Sequence, residues 1–216
     1  MRKSLYSMVL SDEVVRALDD RARKLGTSPS ELADRILAEA LSVPTPERQI
    51  GEIFRAIEEL TAPFPELAAY FRPETHTLSL KSSMSYRYRP TVKYEVRLGG
   101  DDPDILGELA VIFRTQSPEL IAAMTDFFRY WKRLEDVYLA PLLGVAPECA
   151  LYEDRFVREL AAPKSRDCTA EELAEAISGY VRYFDGAMKD FAAGRVSPDE
   201  TELRYRGWLQ SRPILL

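Results

Sequence analysis

The first forty-odd residues, Arg2 to Leu41, pose a folding problem that one copy of the chain does not solve. Lys3-Ser4-Leu5-Tyr6-Ser7-Met8-Val9-Leu10 reads as a single short strand. Ser11 stops it and is placed to cap a helix whose first turn carries Asp12 and Glu13, where carboxylates oppose the positive end of the dipole. That helix repeats Val14, Val15, Leu18, Ala22 and Leu25 at helical spacing and ends at Gly26. Ser28-Pro29-Ser30-Glu31 is a capping box with proline at the first helical position, and it opens a second helix bearing Leu32, Ile36, Leu37, Ala40 and Leu41. A lone strand leaves its backbone groups unpaired, and two short helices bury too little surface to stand alone. The economical solution is a homodimer in which two strands pair antiparallel over four helices.

These features carry a resemblance. The short strand, the Leu10-Ser11-Asp12-Glu13-Val14 entry to the first helix, and Gly26-x-Ser28-x-Ser30 before the second resemble the ribbon-helix-helix (Arc/MetJ/CopG-like) DNA-binding family over residues 2–43. The resemblance implies an intertwined dimer whose two-stranded ribbon enters the major groove of double-stranded DNA. By strand parity, Tyr6, Met8 and Leu10 face the dimer core, and Leu5, Ser7 and Val9 face the groove. Leu5 and Val9 offer contacts to thymine methyls, and Ser7 offers a hydrogen bond. This departs from the family's usual Arg, Lys, Asn, Gln or Thr. Arg2 and Lys3, with the second-helix start at Ser28 and Ser30, are the implied backbone contacts.

Charge is permissive. Residues 1–43 hold seven Lys/Arg and seven Asp/Glu, and the whole chain of 216 residues carries a net −6. That balance argues against bulk affinity for nucleic acid or anionic membrane. No apolar run approaches 18 residues and no apolar leader follows the basic start, so a membrane span and a signal peptide are not expected. Two cysteines fit a reducing cytoplasm rather than a disulfide framework.

Val43-Pro44-Thr45-Pro46 is the best linker, dividing a module at 1–43 from a domain at 44–216. A helix with Ile50, Ile53, Phe54, Ile57 and Leu60 follows, ended by Pro63-Phe64-Pro65, and Glu66–Phe71 reads as a further helical turn. The period then changes to alternation. Residues 76–89, 91–98 and 108–114 are predicted as a three-stranded antiparallel meander. Helices are predicted from Ser117 to Pro141, around Glu148–Leu160, from Thr169 to Gly194, and from Ser197 onward. The expected class is α+β, a small sheet about 76–114 covered by long helices.

The hairpin is unusually basic. Residues 75–100 hold Lys81, Arg87, Arg89, Lys93 and Arg97 against Glu95 alone, a net of +4. This face suits phosphates, RNA, single-stranded nucleic acid or an acidic protein partner, and a solvated outer sheet face requires the same pattern. His76 is the sole histidine, which removes any multi-histidine metal site. Neither Cys149 nor Cys168 sits in a nucleophile motif, and no catalytic set, metal or cofactor is expected. The sequence reading is a cytoplasmic, prokaryotic-type dimeric transcription regulator, such as a repressor, with a C-terminal sensor or interaction domain. Its alternative is an accessory protein that uses the N-terminal module only to dimerise.

Overall fold

The computed structural model describes residues 5–41, 43, 45–72, 77–84, 90–100, 102–164 and 168–216. The chain divides into two compact units, Met1–Arg48 and Gln49–Leu216. In the first, helix α1 (Asp12–Leu25) ends at Gly26, whose φ of 66° is the left-handed conformation that a side chain disfavours. Helix α2 (Pro29–Ala40) begins with the complete capping box: the Ser28 hydroxyl accepts from the Glu31 N–H, and the Glu31 carboxylate accepts from the Ser28 N–H. Residues 5–11 form no strand in the single chain. A β-ladder needs a partner, and the described residues of this unit include no strand to supply one.

The second unit is α+β, as expected, with a larger sheet than the sequence suggested. Six strands, β1 (Ala68–Arg72), β2 (Thr77–Ser83), β3 (Thr91–Leu98), β4 (Ile105–Arg114), β5 (Cys149–Leu151) and β6 (Arg155–Ala161), run antiparallel in the order β1-β2-β3-β4-β6-β5. The inward face carries Leu78, Leu80, Val92, Tyr94, Val96, Leu109, Val111 and Phe156, all buried. They join one core with α3 (Pro46–Thr61), α4 (Pro118–Leu134), α6 (Ala170–Ala192) and α7 (Pro198–Gln210). Ala110, Ile112 and Val157, on the opposite face, are outside that core. At Gly107 an added Cβ would lie 2.0 Å from the Arg97 carbonyl oxygen, so β4 passes β3 closely only because the residue is glycine.

Three expectations need correction. The meander of three strands is a sheet of six. Glu66–Phe71, read as a helical turn, contributes β1, with Tyr70 outward and Phe71 packed against Phe54 at 5.0 Å. Glu148–Leu160, read as a helix, is the hairpin β5–β6. Phe156, Arg158 and Leu160 share its buried face, so the central member of the inward set is charged. That buried arginine concealed the two-residue period. After α4 the chain continues through a π-helical turn (Glu135–Leu139) into the short α5 (Ala140–Leu143).

Candidate functional site

The first unit presents most of its apolar residues to solvent. Only Ala22 and Leu32 are buried within α1 and α2, whereas Val14, Val15, Leu25, Ile36, Leu37 and Leu41 are exposed. In the segment before α1, Leu5 and Val9 are fully exposed, while Met8 and Leu10 are 47% and 41% exposed. Every residue from Leu5 to Leu10 is exposed in the single chain. Tyr6, expected inward, is 83% exposed in the single chain. Arg2 and Lys3 lie outside the described residues. Ser28 and Ser30 stand at the start of α2, with the Ser28 hydroxyl occupied in the cap.

The basic residues of the second unit divide. Arg87 and Arg89, with His76, lie outside the described residues. Lys81, Lys93 and Arg97 all sit on the outward sheet face. Lys93 forms an ion pair with Glu95, and Arg97 pairs with Glu108 at 3.5 Å. Arg114 and Arg155 add to the same outward face from β4 and β6; Arg155 escaped the sequence reading because β6 was not recognised as a strand.

Two polar clusters lie inside the second unit. Glu135 and Arg158 are 1% and 0% exposed, and the Arg158 Nε donates to both Glu135 carboxylate oxygens at 2.9 and 2.8 Å. The Tyr180 hydroxyl donates to Glu135 Oε1 at 2.7 Å, and the Trp131 indole N–H donates to the same oxygen at 3.2 Å. Such a buried, hydrogen-bonded ion pair organises a core; it offers no surface to a substrate. Beside it, burial and then the Glu135 charge push the Cys149 thiol up to about 12, which holds it protonated and non-nucleophilic near neutral pH.

The second cluster runs from the core outward. The Tyr94 hydroxyl donates to Asp185 Oδ1 at 2.8 Å, and the Lys189 ammonium donates to Asp185 Oδ2 and to the Ser82 hydroxyl, each at 2.6 Å. Burial first, and the Asp185 charge second, hold the Tyr94 phenol well above its ordinary value. Lys189 borders a cleft of about 210 Å³ that Glu66, Met84, Ala192 and Arg195 also line. No group of three or more metal-ligating side chains occurs among the described residues. No helix among them is long and apolar enough to cross a membrane.

No family model, curated protein or solved structure matches the chain. The geometry of the two units therefore carries the functional reading.

Proposed function

We propose that the chain is a dimeric DNA-binding transcription regulator built on a ribbon-helix-helix module. Two copies of residues 5–10 pair as an antiparallel ribbon, and α1 and α2 of both copies pack beneath it. The observation that carries this reading is the apolar surface of the first unit. Its two helices and the Leu41 that follows them expose Val14, Val15, Ile36, Leu37 and Leu41 while burying only Ala22 and Leu32. A surface of that kind is stable in water when a second copy covers it. Pairing also supplies backbone partners to residues 5–10, which form no strand among the described residues, and it turns Leu5, Ser7 and Val9 outward together. The second unit then serves as the sensor or interaction domain. Its cleft beside Lys189 is the place for an effector.

Leu5 and Val9 have no hydrogen-bonding side chain, which favours a second reading: the module dimerises the chain and the outward lysines and arginines of the sheet contact RNA, single-stranded nucleic acid or protein. One experiment separates the two. Fluorescence anisotropy of the full chain against pooled labelled duplex, single-stranded DNA and RNA is followed across a salt series. Under the first reading duplex binding is lost in Ser7→Glu, which sets a carboxylate against base acceptors and phosphates, while the dimer persists. Duplex affinity unchanged by Ser7→Glu removes the ribbon from the interface.

A further inference from the structure

The outward face of the sheet has an uneconomical charge pattern. Lys81 stands directly opposite Lys93, and Glu108 stands directly opposite Glu159. Like charges facing each other across adjacent strands destabilise a sheet. Local partners answer part of this. Lys93 has Glu95, Glu108 has Arg97, and Glu159 accepts the Glu148 N–H at 3.0 Å. Lys81 is exposed and has no ion pair among the described residues. The register places the lysine pair and the glutamate pair at diagonally opposite corners, because Arg97, four residues along β3 from Lys93, is the residue level with Glu108. Between the corners lie Glu95, paired with Lys93, and Ala110, Ile112 and Val157, which are half-buried and outside the hydrophobic core.

We infer that this face packs against the same face of a second copy. A two-fold axis in the plane of the contact, running diagonally between the charged corners, sets Lys81 and Lys93 of one copy over Glu108 and Glu159 of the other. The strands then cross near 90°, one of the two usual arrangements of packed sheets. Ala110 and Glu95, directly opposite each other on β4 and β3, both lie close to the axis and each faces its own counterpart, the Glu95 charge being held by Lys93, while Ile112 and Val157 pack beyond Ala110. Arg155 falls at the rim of the axis and brings its own counter-charge, Asp154, at 3.1 Å. The opposed charge of the two corners selects a second copy over a nucleic acid, whose phosphates the glutamate corner repels.

The contact is small. Six strands at about 4.8 Å spacing, with outward rows spanning about 20 Å, offer roughly 550 Å² per copy. Standard stable interfaces bury about 800 Å² per partner. The inference therefore rests on the dimer proposed above, which holds the two copies at high effective concentration.

The test uses the full chain with Cys149→Ser, Cys168→Ser and Ala110→Cys, treated with a short bismaleimide, while sedimentation gives the mass of the same sample. The expected result is cross-linking about ten-fold or more faster than from a cysteine at Leu203, on the exposed side of α7. Adding Lys81→Glu with Lys93→Glu suppresses the cross-link. Mixing and reassembling that variant with one carrying Glu108→Lys and Glu159→Lys restores it between the two. A dimer by mass that gives no cross-link overturns the sheet pairing and leaves the N-terminal dimer standing. A monomer by mass overturns the dimer and this pairing with it. A cross-link indifferent to charge reversal, together with a reduced salt slope for nucleic-acid binding, assigns the lysines to nucleic acid and overturns the pairing.

Discussion

Glu135 and Arg158 show how much one buried pair can govern. The carboxylate takes hydrogen bonds from Arg158, Tyr180 and Trp131, and so ties β6, the π-helical turn, α4 and α6 together. Glu135→Gln leaves the Arg158 charge buried without a counter-charge and should cost about 3–5 kcal/mol by urea denaturation. The double variant Glu135→Leu, Arg158→Met should recover much of that loss, because it removes both charges. A single variant as stable as the parent would show the pair to be dispensable. Titration gives a second residue-scale expectation. Burial raises the Cys149 thiol from an ordinary value of 9.0 to about 12, and it raises Tyr94 and Tyr180 well above 10.0. The folded chain therefore keeps protons that the unfolded chain releases. This contribution is whole below pH 9 and is lost as pH rises through the folded values. Melting temperature should be unaffected by these groups from neutral pH to about 9 and should fall above it. Constancy up to pH 11 would contradict their burial.

At the scale of elements, the capping boxes are the most legible part of the chain, whereas Ser11, expected to cap α1, makes no side-chain cap hydrogen bond. Ser28-Pro29-Ser30-Glu31 and Thr169-Ala170-Glu171-Glu172 both form complete capping boxes, because the reciprocal hydrogen bonds involve residues three apart and need no tertiary partner. Ser28→Ala should cost on the order of 1 kcal/mol per chain in thermal or urea unfolding. An unchanged midpoint would show the cap to be unimportant in the assembled protein. Elements that depend on distant partners were less legible. β6 was mistaken for a helix because Arg158 occupies a core position, and only the position of Glu135, 23 residues earlier, makes that tolerable. β1 was missed because five residues with Ala-Ala-Tyr-Phe-Arg composition declare no period; pairing with β2 from Ala68↔Lys81 to Arg72↔Thr77 defines it. The outward basic set was legible at Lys81, Lys93 and Arg97. Its acidic counter-corner was not, since Glu108 and Glu159 become neighbours only through the β4–β6 register.

For the whole molecule, the exposed apolar side of α1 and α2 calls for association with a second copy, and the proposed DNA binding depends on it. Leu37 is 41% exposed in the single chain and falls on the α2 side assigned to the dimer core. Leu37→Asp places a charge in that core and should separate the copies. The second unit has its own core and should keep its fold in this variant, which circular dichroism of the tertiary aromatic signal can check. The most direct measurement is the mass of the full chain by sedimentation equilibrium at micromolar concentration, without DNA. The account predicts twice 24.6 kDa for the parent chain and a shift toward 24.6 kDa in Leu37→Asp. A parent chain that sediments at 24.6 kDa would contradict the dimer, and with it the ribbon that is proposed to read DNA.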